Sequence, residues 1–357
     1  MGGQRSGPGA SWSVPRGFIV LLGAAGAVVV VAGLRATAGI VGPVFLALVV
    51  TIAAAPLGRR LRRVGLPSWL ATLATLLAVY LVLVALAAAL AFSVARLATL
   101  LPEYGAKFAD LVDDVRSWLA DRGVGGDAAS AALSGLDLGK LAGYLGDVLS
   151  GLLGLSSNLF LILALLFFMA LDAARFPERL AEVGGQRPAV VSALAGFARG
   201  TRRYLLVSTV FGLIVAVIDT GALALLSVPL PLLWGLLAFI TNYIPNIGFV
   251  IGLVPPALLG LLDGGVGTMV AVIAAYCVIN VVIQSVIQPK FVGDAVGLSV
   301  TLTFVSLIFW AWVIGPLGAL LAIPLSLLAK ALLLDIDPST RWLGTLVRGD
   351  EPEEAAP

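Results

Sequence analysis

The side chains of this sequence that could bind an ion or a polar solute are few, and they stand inside long apolar stretches. Asp219 occurs in "GLIVAVIDTGALALL", and Asn242 and Asn246 occur in "NYIPNIGFVIGLVPP". A carboxylate at the centre of a bilayer costs about 2.5 to 3.5 kcal/mol on insertion scales, so Asp219 requires a partner or water. It could carry a proton or bind a cation. Alternatively, it lies near the outer interface and is hydrogen-bonded to Thr220 or to a neighbouring helix.

A second group of polar side chains recurs at every fourth position: Tyr276, Asn280, Gln284 and Gln288. This spacing keeps them on one slowly rotating face of a helix. Such a stripe could line the path of a solute. It could equally hold helices together through hydrogen bonds, each contributing about 1 kcal/mol inside a membrane. Both interpretations stay open on the sequence.

The composition places these side chains in a membrane protein. The chain has 357 residues, of which 60% are hydrophobic and 12% are charged. The charged fraction is about half that of ordinary soluble domains, and the mean hydropathy is +1.07. So much apolar surface requires lipid as its solvent. We therefore predict an all-α, polytopic integral membrane protein with six to eight spans.

The composition also excludes several functions. With one cysteine (Cys277) and no histidine, the chain cannot form an internal disulfide, a metal site built on histidine or several cysteines, or a His-dependent triad. It contains no Gly-Lys-Ser/Thr phosphate-binding loop. Its net charge of +2 gives no reason to expect a nucleic-acid partner. We expect no enzyme activity, no cofactor and no resident metal.

The order of apolar and charged stretches divides the chain into five parts. They are a disordered N-terminus at 1–16, membrane spans 1–3 at 17–101, an acidic helical insert at 102–148, a membrane transport core at 149–335 and a C-terminal tail at 336–357. The insert has eight acidic and four basic residues, a net charge of −4. Residues 172–203 have six arginines and three acidic residues, a net charge of +3.

These charges predict the orientation of the chain, because Lys and Arg accumulate in short cytoplasmic loops. The strongest basic cluster is "RRLRR", from Arg59 to Arg63. With this cluster and the loop at 172–203 inside, the acidic insert lies outside. We expect a multi-pass protein of the bacterial inner (cytoplasmic) membrane, with both termini in the cytoplasm.

Two long apolar segments are interrupted near their middle. The segment at 232–262 is broken at "NYIPNIG", and the segment at 301–334 is broken at Gly315-Pro316. Proline removes a backbone donor, and in hydrocarbon the freed carbonyls must bond to protein or line a watery cavity. One such break would be an ordinary proline kink. A pair of them points to the binding site of a transporter.

The breaks suggest which residues line a solute path. Besides the polar stripe and Asp219, we expect Asn242, Pro245, Asn246 and Gly248 at the first break, and Gly315 and Pro316 at the second. If both broken segments cross the membrane once, the chain has eight spans and Lys290 lies outside. If both are re-entrant hairpins, it has six full spans and Lys290 lies inside.

Three elements together carry a resemblance: "NYIPNIG", then "VIQPKFVGDAVGLSV", then "GPLGALLAIPL". In these elements and their order, from about residue 17 to 335, the chain resembles the autoinducer-2 exporter family of bacterial permeases. The residues that match the family's signature are Pro245, Gly248, Pro289, Gly293, Gly315, Gly318 and Pro324. Many members have a Glu-Asn pair where this chain has Ile283 and Gln284, so a glutamate-dependent ion coupling is not expected here.

The resemblance implies a non-ATP transporter of a small hydrophilic solute that works as a homo-oligomer in the lipid membrane. Named members of the family are linked to export of a quorum-sensing signal, and others exchange sodium or lithium for protons. A cation/proton antiporter, with a proton or a monovalent cation as partner, is therefore the first alternative. A membrane scaffold or regulatory subunit, whose acidic insert binds a partner, is an alternative of another class.

The predicted orientation can be tested by cysteine labelling in a Cys277→Ala background. A cysteine at position 125, in the acidic insert, should react with a membrane-impermeant thiol reagent in intact cells. A cysteine at position 185, in the basic loop, should react only after the membrane is permeabilised. The reverse pattern would contradict the orientation.

Overall fold

The part of the chain that the structure describes is built from helices. The structure is a computed structural model, and it describes residues 15–122, 146, 150, 159–173, 175–245, 247–288 and 299–337. The N-terminus before Pro15, most of the second half of the predicted insert, Asn246, Pro289, Lys290 and the tail after 337 lie outside the described residues.

The helices follow one another with short connections. They are α1 (Arg16–Ala36), α2 (Ala38–Arg63), α3 (Ser68–Asp121), α4 (Leu159–Ala173), α5 (Phe176–Gly184), α6 (Pro188–Leu225), α7 (Pro231–Thr241), α8 (Gly248–Asn280), α9 (Val300–Ile314), α10 (Pro316–Leu320) and α11 (Ala322–Lys330). Two π-helical stretches, Val281–Ile287 and Ala331–Asp335, continue α8 and α11. Proline opens α6, α7 and α10, where its fixed φ suits the first helical turn.

Several helices match the thickness of a bilayer. Over the described residues, four stretches are long and apolar enough to cross one: Ala38–Arg63, Ser68–Leu97, Pro188–Leu225 and Gly248–Gln284. The pair Leu159–Ala173 and Glu178–Gly184, bent by 58°, would make a fifth. Val20–Ala36, Pro231–Thr241 and Val300–Ile314 are apolar but shorter. The predicted span number therefore depends on how the shorter helices lie.

The longest helix, α3, joins the third apolar run to the acidic stretch. Its 54 residues extend about 80 Å, which is more than twice the hydrocarbon thickness. The first part of the predicted insert is thus a continuation of the third span, with Tyr104 buried against the bundle. Up to Asp121, the described part of the insert is carried on this helix.

Contacts between helices define two ends of the bundle. At the basic end, Arg202 on α6 donates from Nε to the carbonyl of Ile52 on α2 at 3.2 Å. At the other end, Tyr104 on α3 belongs to the same buried cluster as Leu223 and Val228, at the end of α6 and just beyond it. Since α3 begins soon after the basic cluster, α3 and α6 both run from the basic end to the opposite end.

An ion pair adds a third element to this opposite end. Lys107 on α3 bonds to Asp263 on α8, and its Nζ lies 3.0 Å from Glu103. The hydrogen bonds to Asp263 and then Glu103 raise the pKa of Lys107 above its ordinary value. Burial and the charge of Asp263 raise the pKa of Tyr104 to about 12. Asp263 therefore lies at the end of the bundle where the insert begins.

The first broken segment folds back on itself. A Cβ on Gly252 would lie 3.2 Å from Thr241 Oγ1 and 3.5 Å from Ala238 Cα, so α7 and the start of α8 pack as antiparallel arms. α8 reverses again at Gly265, which has φ 74° and ψ −171°. A Cβ on Gly260 would lie 3.4 Å from the side chains of Thr268 and Val272. Residues 231–264 are thus a helical hairpin. The part of α8 after Gly265, its second arm, runs back alongside the hairpin.

The second broken segment is a hairpin of opposite direction. Its chain turns at Gly315, with φ 79°, and Trp310 Nε1 on α9 donates to Ser326 Oγ on α11 at 3.0 Å. A Cβ on Gly200, near the basic end of α6, would meet Leu327 of α11, and one on Gly42, near the start of α2, would meet Leu317 of α10. The open end of this hairpin lies at the basic end, and its tip lies towards the opposite end.

Both segments therefore have the fold-back geometry that the hairpin alternative requires. The first hairpin has its open end near Lys107, whereas the second has it near Arg202. The two arms of each hairpin approach each other closely because a glycine lies where they meet. A Cβ on Gly248 would lie 1.8 Å from the carbonyl oxygen of Thr241, and one on Gly318 would lie 1.9 Å from that of Trp310.

A cross-linking experiment tests the first hairpin. Lys107→Cys with Asp263→Cys, in a Cys277→Ala background, should be joined by a short bifunctional thiol reagent, because the two side chains are in contact. Ser117→Cys with Asp263→Cys is the control, since Ser117 lies ten residues further along α3, about 15 Å away. If 232–262 crossed the membrane once, Asp263 would lie at the basic end and the first pair would not cross-link.

Candidate functional site

Asn242 lies at the tip of the first hairpin and joins three elements. It follows the last residue of α7, and its Nδ2 donates to the carbonyl of Ser208 on α6 at 2.9 Å. Its Oδ1 accepts from Gln284 Nε2 at 3.1 Å. Ser208 lies six residues beyond Arg202, about 9 Å along α6. The hairpin tip therefore reaches deep into the bundle, close to its basic end.

The polar stripe on α8 continues this hydrogen-bonded chain. Gln284 Nε2 also donates to Asn280 Oδ1 at 2.7 Å, and Asn280 Nδ2 donates to the carbonyl of Tyr276 at 2.9 Å. Since an amide group has two N–H donors, Gln284 uses both of them here. It lies in the π-helical stretch, a conformation that is rare and frequently found at functional sites.

The tip is fixed a second time through Tyr243. Its carbonyl accepts from Tyr204 Oη at 2.7 Å, and its hydroxyl lies 2.6 Å from Thr209 Oγ1. Thr209 donates its own proton to the carbonyl of Leu205 at 2.6 Å, so Tyr243 is the donor to Thr209. One peptide group and one side chain of the turn are therefore bonded to α6.

A narrow cavity lies between the hairpin, α6 and the second arm of α8. Its lining residues are Val215, Asp219, Ala238, Thr241, Asn242, Phe249, Gly252, Tyr276, Asn280 and Gln284. Its volume is about 10 Å³. This is room for one water molecule or a bare monovalent cation and no more. In this conformation the site is closed to any larger solute.

Asp219 is the most unusual residue of the cavity. Its side chain has 0% exposure, and neither carboxylate oxygen has a hydrogen-bond partner in the described structure. Thr220 is not its partner, because the Thr220 hydroxyl donates to the carbonyl of Ala216 at 2.7 Å. The hydroxyl of Tyr276, which lines the same cavity, is also buried and unbonded. Burying such groups without a bond is costly, so a proton, an ion or water is required here.

The family position of the glutamate is filled by a buried apolar residue. Ile283 has 5% exposure and packs in one cluster with Val207, Phe211 and Val215 of α6. Asp219 lies on α6 one turn beyond Val215. Among the described residues, the carboxylate that lines the cavity thus comes from α6, one turn beyond a residue of the cluster that contains Ile283.

The structure gathers five of the twelve predicted site residues around one cavity: Asp219, Asn242, Tyr276, Asn280 and Gln284. Pro245 and Gly248 form the turn and the tight contact behind it, without lining the cavity. Gln288 lies beyond the hydrogen-bonded chain at the end of the π-helical stretch. Gly315 and Pro316 form the tip of the other hairpin. Asn246 and Pro289 lie outside the described residues.

Sequence reasoning missed several contributors. Thr241 and Phe249 line the cavity, and Ser208 contributes only a backbone carbonyl, which no side-chain pattern reveals. A Cβ on Gly212 of α6 would lie 2.7 Å from Asn242 Nδ2, a contact that the sequence pattern does not reveal. Glycine at that position makes room for the amide.

Comparison with known proteins supports a transporter. Residues 19–337 match the model of the AI-2E family transporters. The chain is 30% identical over 314 residues to the AI-2 transport protein TqsA of Escherichia coli (strain K12), covering 88% of this chain and 90% of the relative. It is 29% identical, with the same coverage, to the putative transport protein YhhT of that strain. A putative transport protein of Haemophilus influenzae is 28% identical over 90% of this chain and 93% of its own length.

The family match covers nearly the whole described bundle, including both hairpins and the cavity at the tip of the first. The relatives are named as transport proteins, in agreement with a helical chain whose polar groups meet inside an apolar bundle. This chain is a membrane protein of the AI-2E family of transporters.

Proposed function

We propose that the chain exports a small hydrophilic solute without ATP, and that the solute passes the tip of the first hairpin. The observation that carries the proposal is the cavity in which Asp219 and the amides of Asn242, Asn280 and Gln284 meet. Such amides offer donors and acceptors to a hydroxylated solute. AI-2, which the name of the Escherichia coli relative gives as its cargo, is a candidate solute for this chain.

The two hairpins would be re-entrant, each entering the membrane from one side. α7 has 11 residues, about 16 Å, and is too short to cross a hydrocarbon core of about 30 Å. With the basic end in the cytoplasm, the first hairpin enters from outside and the second from inside. Broken helices of opposite direction are the arrangement from which many secondary transporters build a midplane site.

Transport requires the first hairpin to move. The closed cavity has no room for a solute, and the tip is held by Asn242 and Tyr243 through hydrogen bonds to α6 and to Gln284. A solute that replaced the bonds of Asn242 would stabilise an open position of the hairpin. Binding energy of this kind shifts a population between two conformations, which is what alternating access needs.

A cation/proton antiporter is the second candidate, and Asp219 favours it. Its carboxylate is fully buried, has no hydrogen bond and faces a cavity of the size of a small ion. Protonation and cation binding would then compete for one carboxylate. Flux in proteoliposomes, with and without a pH or sodium gradient and with AI-2 inside, separates the two candidates. If the rate of AI-2 export is the same with and without the two gradients, the solute carrier alone is supported. If sodium flux occurs without AI-2, the antiporter is supported.

The hydrogen-bonded chain predicts different outcomes for single and double substitutions. Asn242→Leu should destabilise the protein by about 1 to 3 kcal/mol, because Gln284 loses a buried partner. Adding Gln284→Leu should restore only part of this stability, since the unpaired amide of Gln284 is then gone but Asn280 Oδ1 loses its donor. If the amides contact the solute, flux should remain lost in the double variant. Recovered flux would mean that the amides only join helices. Thermal unfolding and proteoliposome flux are the two measurements.

The close approach at the hairpin predicts a steric effect. Gly248→Ala should abolish flux, because its Cβ would lie 1.8 Å from a backbone oxygen and the arms would have to separate. Gly267→Ala is the matched control in α8, since nothing lies within 4 Å of its Cβ. Size-exclusion chromatography checks assembly of both variants. Equal flux in the two would show that the tight hairpin is not needed for transport.

Asp219→Asn should remove the response of flux to a pH gradient, because the amide cannot exchange a proton at this place. Solute binding, measured by calorimetry in detergent, should be partly retained. Thr220→Val is the control, since its hydroxyl bonds only to the carbonyl of Ala216 on its own helix. An unchanged pH response in Asp219→Asn would exclude this carboxylate from coupling.

A further inference from the structure

A second cavity lies at the basic end of the bundle, away from the hairpin site. Helices α2, α3 and α4 enclose about 150 Å³ between them. Its depth is apolar, with Leu76 and Val79 of α3 and Leu166 and Ala170 of α4. Leu76 and Leu166 belong to a buried cluster that closes the inner end. The space is too small for a whole lipid, but it holds a headgroup or part of an acyl chain whose remainder stays in the bilayer.

The mouth of this cavity carries uncompensated positive charge. Arg59 and Arg62 line it, and both are exposed. Among the described residues, neither guanidinium lies within ion-pair distance of a carboxylate. Asp172, next to the lining residue Ala173, lies 4.0 Å from Arg179 instead. A guanidinium pair of this kind suits a phosphate group, which it can bind through several N–H donors.

Three threonines in the lining of the cavity offer acceptors. Thr51, Thr72 and Thr75 line the cavity, and each donates its hydroxyl proton to the carbonyl four residues earlier, at 2.7 to 2.9 Å. Each oxygen keeps lone pairs that can accept further hydrogen bonds. The lining of the cavity therefore combines donors from the arginines, acceptors from the threonines and apolar side chains.

We propose that this cavity binds an anionic phospholipid whose headgroup carries hydroxyls, as phosphatidylglycerol does. The phosphate lies between Arg59 and Arg62, the headgroup hydroxyls donate to the threonine oxygens, and part of an acyl chain packs on Leu76 and Leu166. Basic cavities between helices at the cytoplasmic side are a known setting for lipid headgroups. Two unpaired guanidinium groups favour a net negative headgroup over a zwitterionic one.

The basic cluster offers a matched control for the test. Arg59→Gln/Arg62→Gln removes the two arginines that line the cavity, whereas Arg60→Gln/Arg63→Gln removes two neighbours that do not. Each variant removes two positive charges from the same basic cluster, so the two variants change the net charge and the charge that orients the chain in the membrane equally. A hydrogen bond to a charged group is worth about tenfold in binding or more, and only Arg59 and Arg62 line the cavity, so the first variant should retain at least about tenfold less phosphatidylglycerol. The second should stay near wild type.

The measurement is native mass spectrometry of the full chain, released from nanodiscs of equal phosphatidylglycerol and phosphatidylcholine. An equal loss in both arginine variants, or equal retention of the two lipids by the wild type, overturns the proposal. Ala170→Phe fills the cavity without changing charge and should also lower retention, whereas Leu171→Phe, at an exposed position outside the cavity, should not. Unchanged retention in Ala170→Phe overturns it as well. Displacement of the lipid by millimolar inorganic phosphate would show a free-anion site and overturn the lipid assignment.

Discussion

A hairpin tip inside an apolar bundle cannot leave its peptide groups unpaired, and the rest of this structure depends on that constraint. Where α7 ends, the chain must turn among apolar side chains with no water to accept its hydrogen bonds. The neighbours supply the partners. Tyr204 donates to the carbonyl of Tyr243, and Asn242 bonds to Ser208 and Gln284. The peptide N–H groups of Tyr243 and Ile244 bond within the turn, to Ile240 and Thr241, and the bonds from α6 and the π-helical stretch anchor the tip from outside.

The same bonds set how easily the tip can move. Each contributes about 0.5 to 1.5 kcal/mol net, so the tip is held by a few kcal/mol. A gap of this size between two conformations is one that a bound solute can reverse. Asp219 lines the cavity at this tip and has no hydrogen bond of its own among the described residues. A proton, an ion or a water molecule in the cavity would supply the missing partner. In the proposed transport cycle, movement of the hairpin and binding of an ion or solute would therefore be coupled at this one place in the fold.

The two ends of the bundle differ in their charged residues. Arginines of α2 and α6 gather at one end, and at the other Lys107 ties the start of the acidic stretch to Asp263 at the base of the first hairpin. Exposed ion pairs contribute little to stability. This pair matters for position, because it holds the open end of the first hairpin to α3. The basic end holds the open end of the second hairpin and the arginine-lined cavity.

The sequence by itself determined the membrane class, the helical fold, the basic and acidic stretches, the family and the two places where apolar segments break. These follow from composition and local chemistry: clustered proline and glycine disfavour a continuous helix, and apolar runs of this length need lipid. It also singled out Asp219, Asn242 and Gln284 as costly groups in an apolar chain. Only the tertiary structure decided that they share one cavity with Tyr276, that Gly265 turns α8 back, and that Ser208 offers a carbonyl to the tip. Those contacts join residues more than thirty positions apart or use the backbone alone, and neither periodicity nor side-chain type records them.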